Sequence, residues 1–195
     1  VKTDLTIAYR ATENGTLNVT QSLKTTPGAE MPEMMRFGMV MNLPYAMDQA
    51  EWYGRGPVEN YSDRKLSQNV GIYKATADQL FYPYVRPQET GTMSDLRWWN
   101  IKDNNGFGLR IESDALFSAS ALHYDLYTLD EGKEKNQRHS QSLPKSQYTN
   151  LFVDLVQAGV GGVDSWSDWG RARKGHRVEY KDYTFSFRIS PKTLY

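Results

Sequence analysis

The sequence predicts an all-β fold, arranged as a large antiparallel sandwich. Many short segments alternate apolar and polar residues, turn signals recur between them, and few windows show helical periodicity. The chain has 195 residues, which is enough for one domain with a substantial core. We therefore expect residues 1–195 to form a single domain.

The first strands are predicted from period-2 alternation. Leu5–Tyr9 alternates apolar and polar residues, and residues 17–23 place Leu17, Val19 and Leu23 on one face. Between them lies Asn14-Gly15, the strongest short hairpin signal. A further apolar run at residues 37–41 is the next predicted strand.

The remaining strands follow from the same pattern. Residues 107–111 alternate after a turn at 103–106, and the serines and alanines of 115–122 favour a strand over a helical turn. Residues 151–156 indicate a strand buried on both faces. Tyr183–Ile189 indicates a half-buried strand, which we expect Pro191 to end.

Two segments between the strands are polar or rich in glycine. Asp130–Ser142 is the most polar part of the chain and predicts a solvated connection, either a short exposed helix or a loop. Residues 159–170 are rich in glycine and tryptophan and predict a second ordered loop.

Composition excludes several classes of protein. Lys plus Arg and Asp plus Glu both number 23, so a neutral chain lacks the basic footprint of a binder of nucleic acid or anionic membrane. No apolar run approaches the ~20 residues that cross a bilayer. There is no cysteine, which excludes disulfides and thiolate metal sites. Val1 is not an initiating methionine and no apolar signal region follows it, so we expect a processed or excised chain.

The most informative segment is Trp52–Arg64, which reads Trp-Tyr-Gly-Arg-Gly-Pro-Val-Glu-Asn-Tyr-Ser-Asp-Arg. Its glycines and proline would break a helix, and only its ends carry β-formers, which predicts an ordered loop. Flat aromatic rings beside carboxylates and guanidinium groups suit a polyhydroxylated ring, but a structural corner is the favoured interpretation. We expect Glu59 and Asp63 to pair with nearby arginines.

The chain carries carboxylates that hydrolysis would need, although the sequence places no two of them together. A retaining glycosidase holds two carboxyl groups roughly 5–5.5 Å apart. The three histidines show no metal-ligand spacing, and no metal site is predicted. The candidate carboxylates are Glu59, Asp63, Glu89, Asp95, Asp154, Asp164 and Asp168.

Tryptophans at loop signals indicate recognition instead. An exposed indole face can stack on the apolar face of a sugar ring, with Asp or Asn beside it to bind hydroxyl groups. Trp166, in the glycine-rich loop, is the best candidate for such a platform. At least one of Trp98 and Trp99 should point into the core.

Four ordered motifs resemble the C-terminal, small-chain domain of glycoside hydrolase family 2 β-galactosidases. Trp52–Arg64 is similar to the opening motif of that domain, and Tyr84–Gly91 is similar to its Tyr-Val-x-Pro-x-Glu-x-Gly segment. Arg97-Trp98 follows in order, and Gly159–Trp166 resembles Gly-x-Gly-Gly-Asp-Asp-Ser-Trp. Val163 departs from the family's Asp, and the chain continues as Ser-Asp-Trp-Gly after the motif. The resemblance covers roughly residues 1–191.

The resemblance implies a supersandwich of the galactose-mutarotase kind that contacts carbohydrate without being catalytic. The family's catalytic glutamates, with the Mg²⁺ and Na⁺ sites, belong to a separate (β/α)8 barrel. In this chain the matching platform is Trp166, with Asp164 and Ser165 beside it as substrate-binding candidates. The motif residues expected to be structural are Trp52, Gly54, Gly56, Pro57, Glu59, Asn60, Tyr61, Asp63, Arg64, Pro87 and Glu89.

The resemblance also implies partners and a location. The partners would be the other domains of the same β-galactosidase, which could itself be a homo-oligomer, and a β-galactoside. A soluble bacterial enzyme is expected, in the cytoplasm or the periplasm.

Two alternatives stay open. The chain could be a mutarotase-like aldose epimerase, which would need a histidine acid and a carboxylate base in one cleft, and His123 with Glu89 is the pair to test. It could also be a purely structural domain that forms an interface.

Overall fold

The computed structural model describes residues 1–130, 139–164 and 166–193, and the fold in these ranges is all-β and antiparallel. Part of the polar segment Asp130–Ser142, residues 131–138, and also Ser165 lie outside the described residues. The strands are β1 (Asp4–Ala11), β2 (Leu17–Lys24), β3 (Arg36–Pro44), β4 (Gln49–Gly56), β5 (Asn69–Thr76), β6 (Met93–Lys102), β7 (Phe107–Leu122), β8 (Tyr148–Gln157) and β9 (Tyr183–Thr193).

Helical structure is limited to single turns in the described ranges. Two short α-helices are present, α1 (Ala77–Leu80) and α2 (Leu126–Leu129), and 3₁₀ turns cover Ser140–Ser142, Asp168–Gly170 and Lys174–His176. Thr76 and Gln79 cap α1 reciprocally as a capping box. No helix in the described ranges has the length and apolar character needed to span a membrane.

The sheet branches at the long strand β7. Its first half pairs with β9, which continues through β2 to the edge strand β1. Its second half pairs with β8, which pairs in turn with β3. On its other side β7 pairs with β6, followed by β4 and the edge strand β5. Strands β8 and β9 therefore pair with the same edge of β7, each along a different half of that strand. The sheet divides into two branches between these two pairings.

The predicted turns and strands are confirmed. Gly15 adopts a φ of 80° between β1 and β2, where Gly15 N donates to Thr12 O. The turn at residues 103–106 closes with Asp103 N donating to Phe107 O. Residues 115–122 form the second half of β7, and small side chains fit at 118–121 because residues 117–122 are buried on both faces.

The core lies against the central strands and is built around two tryptophans. Trp52 and Trp99 are fully buried and stack with ring centroids 5.3 Å apart. Trp98 is only partly buried, so one of the adjacent pair points inward as predicted. Trp52 Nε1 donates to Arg55 O at 3.0 Å, which satisfies its buried polar atom.

Two sequence predictions about strand ends are wrong. Trp52–Gly56 belongs to β4 and is not part of a loop, because Gly54 and Gly56 are needed for close approach to neighbouring groups. A Cβ on Gly54 would lie 2.5 Å from Leu96 Cδ2. Pro191 does not end β9, because β9 has separated from β2 beyond Ile189 and a proline is tolerated beside an open edge.

Replacing Gly54 with alanine should destabilise the fold. The new methyl group would also lie 3.1 Å from the backbone at Asp95 O and Leu96 Cα, so β4 and β6 must separate. We expect a loss of roughly 1–3 kcal/mol in the free energy of unfolding, measured with urea. Gly175→Ala is the matched control, because no atom lies within 4 Å of its Cβ position, and its effect should stay within about 0.5 kcal/mol. Equal stability of both variants would contradict the packing argument.

Candidate carbohydrate-contacting site

The segment after β4 is held by one buried carboxylate, that of Glu59. Glu59 is 8% exposed and accepts hydrogen bonds from the Arg64 guanidinium, from the hydroxyls of Tyr84 and Tyr61, and from Gly91 N at 2.7 Å. A buried charge is tolerated only when its oxygens are fully paired. Glu59 therefore joins residues 59–64 to residues 84–91.

The neighbouring Asn60 continues this attachment into β6. Asn60 is fully buried, its backbone N donates to Thr92 O, and its Oδ1 accepts from Ser94 N and Ser94 Oγ. Its Nδ2 donates to Val58 O at 3.0 Å. Each polar atom of the side chain is thus used by the protein, and the segment has one favoured path.

In the described ranges Asp63 binds backbone amides and is not seen to pair with Arg55 or Arg64, so the expectation of a nearby arginine partner is wrong. Its Oδ1 accepts from Val160 N at 3.2 Å and its Oδ2 accepts from Gly161 N at 2.8 Å. A carboxylate suits consecutive backbone amides of a glycine-rich segment because several N–H groups converge there. A Cβ on Gly159 would overlap the Asp63 carboxylate, so this position needs glycine. Asp63 therefore attaches the 159–170 loop to the corner.

The 159–170 loop is also fixed from within. The Asp164 carboxylate accepts from Trp166 N, Ser167 N and Ser167 Oγ, and these bonds hold the pKa of Asp164 below its usual value. Val163 N donates to Trp169 O at 2.8 Å, which closes the loop on itself. The described residues of this loop are therefore held in place, although much of their surface faces solvent.

Trp166 is 86% exposed at the end of this loop, and Trp169 is 71% exposed. In the described residues the two indoles do not stack on each other, so each has a ring face open to solvent. An exposed indole has a large apolar face that can stack on a ligand. Trp169, which the sequence places with Trp166 among the tryptophans at loop signals, is a second exposed aromatic candidate.

A second buried network lies between β3 and β8. Arg36, at the start of β3, forms an ion pair with Asp154 at 3.2 Å and with Glu89, whose other oxygen accepts from Thr92 Oγ1 at 3.1 Å. Burial raises the pKa of Asp154 to about 7, and the nearby Glu89 charge adds to this rise although Arg36 opposes it. The partner of Glu89 was missed because Arg36 lies far away in sequence.

Several of the carboxylates considered for hydrolysis are bound by protein groups, and the Asp168 side chain lies outside the described residues. Asp154 is 3% exposed and Glu59 is 8% exposed, so substrate has little access to either. Asp95 binds Arg55 and Lys65 at 2.5 and 2.7 Å. The arrangement suits structural ion pairs, while the exposed indoles suit stacking. Across the part of the chain that the structure describes, no cluster of three or more His, Asp or Glu residues is placed to hold a metal ion.

The pair required by an epimerase does not form a contact in the described residues. His123 is 1% exposed, stacks on Tyr45 with centroids 3.8 Å apart, and lies 3.4 Å from Thr149 Oγ1 and 3.8 Å from Asp48 Oδ2. Glu89 binds Arg36 and Thr92 instead. His123 is a satisfied core histidine.

Among the remaining motif residues, Pro87 is buried, Pro57 is exposed after a cis peptide bond, and Arg64 is partly exposed.

Comparison with known proteins identifies relatives along nearly the whole chain. A family model described as "Beta galactosidase small chain" matches residues 1–189. A β-galactosidase of Priestia megaterium is 33% identical over 186 residues, which is 95% of this chain and 17% of that protein. One from Lactobacillus delbrueckii subsp. bulgaricus is 36% identical over 168 residues, 85% of this chain and 16% of that protein. The chain thus spans about a sixth of the length of these relatives.

A comparison of structures gives a more distant likeness. A galactose mutarotase related enzyme from Lactobacillus acidophilus aligns over 98% of this chain and 62% of its own, with a TM-score of 0.39 and 10% identity.

Stability should depend on pH through Asp154. Its pKa is about 7 in the folded state and near 3.9 when unfolded, so between these values only the folded protein keeps the proton. The free energy of unfolding therefore falls as pH rises through this window. Relative to Asp154→Asn, the unsubstituted protein should lose roughly 2 kcal/mol between pH 5 and pH 8, measured by urea unfolding.

Asp114→Asn is the control for this pH dependence, because the Asp114 side chain is 98% exposed. It should follow the unsubstituted protein at both pH values. A constant difference between the unsubstituted protein and Asp154→Asn from pH 5 to pH 8 would contradict the raised pKa.

Proposed function

This chain belongs to the β-galactosidase small-chain family, and from that premise we propose that it is a non-catalytic, sugar-contacting domain of a β-galactosidase. It completes the active site of a separate catalytic (β/α)8 barrel that hydrolyses terminal β-D-galactosides. The observation that carries the proposal is Trp166, an 86% exposed indole at the end of a loop fixed by internal hydrogen bonds.

The chain corresponds to only a small part of its relatives, which supports a catalytic part that is separate from this domain. The chain matches 17% of the Priestia megaterium β-galactosidase and 16% of the Lactobacillus delbrueckii one. The larger part of such an enzyme would supply the catalytic groups, together with any magnesium or sodium site. In this chain the described residues offer no fitting cluster of metal ligands, so no step here runs through a metal.

Trp166 supplies binding rather than bond cleavage. An indole face covers the apolar C–H face of a pyranose and excludes water from it, which gives affinity without acid or base chemistry. The free energy gained from one such contact is smaller than the entropic cost of immobilising a ligand. Measurable binding therefore needs the rest of the active site. Asp164 shapes the loop through its three hydrogen bonds, and Ser165 lies between these two residues in sequence.

The edge strand β1 supports contact with other domains. Leu5, Ile7 and Tyr9 are 55%, 37% and 60% exposed, yet they lie opposite core-facing residues of β2. The apolar face of the sheet therefore continues beyond the part that this chain covers, and a solvent-exposed apolar edge favours pairing or burial by a partner. We propose that another domain of the same enzyme covers it, which makes a structural role additional to the sugar contact.

The isolated chain should not hydrolyse a chromogenic β-galactoside, because the candidate carboxylates Glu59, Asp95 and Asp154 are bound by protein groups. It should also leave the mutarotation of galactose, followed by polarimetry, at the uncatalysed rate. Turnover that survives repurification and disappears when a carboxylate of this chain is replaced would contradict the non-catalytic role. Accelerated mutarotation that requires His123 would favour the epimerase instead.

In the multidomain enzyme, Trp166→Ala should raise the KM for lactose several-fold to about tenfold and change kcat less. A tenfold change corresponds to about 1.4 kcal/mol, a reasonable value for one aromatic contact. Tyr127→Ala is the matched control, since Tyr127 is a similarly exposed aromatic residue, 82% exposed, and belongs to α2 rather than to the 159–170 loop. Kinetics of Trp166→Ala that equal those of the control would contradict the platform role.

A further inference from the structure

Trp169, the second exposed indole of the 159–170 loop, has a backbone that the protein holds on both sides. Its N donates to Ser167 Oγ at 3.1 Å within the 3₁₀ turn Asp168–Gly170, and its carbonyl oxygen accepts from Val163 N at 2.8 Å. The side chain itself is 71% exposed. The loop therefore fixes the position from which this indole extends and leaves the ring to solvent.

The turn that carries Trp169 packs closely against the glycine-rich start of the loop. A Cβ on Gly162 would lie 2.5 Å from Gly170 O and 2.8 Å from Gly170 Cα, so a larger residue could enter only if the backbone moved. Val163, which follows Gly162 and bonds to Trp169 O, is itself 68% exposed. Two apolar side chains with hydrogen-bonded backbones thus face solvent on one closely packed turn.

One serine hydroxyl links the backbones of both indoles to the same carboxylate. Ser167 Oγ donates to Asp164 Oδ2 at 2.6 Å and accepts from Trp169 N, while Asp164 Oδ1 accepts from Trp166 N at 3.1 Å. A hydroxyl has one proton to donate and lone pairs that accept, so both bonds of Ser167 form together. The backbones at Trp166 and Trp169 are therefore held relative to each other.

The spacing of the two indoles suits neighbouring rings of one carbohydrate. Trp166 and Trp169 are three residues apart, so their Cα atoms are separated by at most ~11 Å. Both indoles therefore lie within the length of a trisaccharide. A terminal galactosyl group has no sugar beyond it, so a longer substrate extends only through its aglycone.

We propose that Trp169 forms a second aglycone subsite, which binds the sugar ring beyond the one that Trp166 covers. This inference rests on the proposed function and names its substrate class: β-galactosides whose aglycone contains two or more sugar rings. An indole stacks on a neutral pyranose without needing a charge on it. Because the backbone of Trp169 is already fixed, less conformational entropy is lost when the ring binds.

The test compares initial rates of the multidomain enzyme on lactose, whose aglycone is one ring, and on a trisaccharide in which a β-galactosyl group is linked to lactose. Trp169→Ala should raise the KM for the trisaccharide roughly fivefold and change the KM for lactose less than about twofold, as expected for one aromatic contact. Trp169→Phe keeps a flat ring and should restore most of the loss.

Two controls separate this effect from a general disturbance. Tyr127→Ala, which changes a similarly exposed aromatic residue of α2, should alter neither KM. Trp169→Ala should also leave the urea stability of the enzyme unchanged, because most of the side chain is already in solvent.

Two results with Trp169→Ala would overturn the second subsite. Equal increases in both KM values would place Trp169 at the ring that lactose already fills or at a contact between domains. Unchanged KM values for both substrates would mean that the aglycone does not reach it. Trp166→Ala distinguishes these failures from failure of the proposed function: it should raise both KM values, and if it raises neither, the platform role itself is wrong.

Discussion

The buried carboxylate of Glu59 is the constraint on which the rest of the site depends. It gathers the Arg64 guanidinium, the hydroxyls of Tyr61 and Tyr84, and Gly91 N around one charge that water does not reach freely. Loss of any partner would leave a buried charge short of hydrogen bonds, which is costly. The chain after β4 and the chain before β6 must therefore meet, and β6 starts from a fixed point.

The position of the exposed loop follows from this meeting. Because Glu59 and Asn60 fix the corner, Asp63 faces the amides of Val160 and Gly161 and holds the base of the 159–170 loop. Asp164 and the Val163–Trp169 hydrogen bond then fix the remainder of that loop. A conformationally restricted indole loses less entropy on binding than one on a free loop. Under the proposed function, the corner supports the sugar contact by holding the base of this loop.

Much of the fold could be predicted because its signals are local. Alternation and the Asn14-Gly15 turn identify strands without knowledge of their partners. The wrong predictions concern positions whose structure depends on residues that are distant in sequence. Gly54 is inside a strand because Leu96 lies against it, and Asp63 binds amides 97 and 98 residues away. Arg36 as partner of Glu89 has no local signal at all.

Of the candidate site, the exposure of Trp166 was predictable because a small, polar, glycine-rich context leaves an indole little to pack against. Trp169 was visible in the sequence as another tryptophan at a loop signal, but no family motif matched it.

The most direct measurement of this account is a double-mutant cycle on KM in the multidomain enzyme, with Asp63→Ala, Trp166→Ala and both together. If Asp63 acts by positioning Trp166, replacing Asp63 should raise the KM for lactose in the unsubstituted enzyme and have little further effect once Trp166 is alanine. Effects of the two substitutions that simply multiply would show that Asp63 and Trp166 act independently, and would contradict the account.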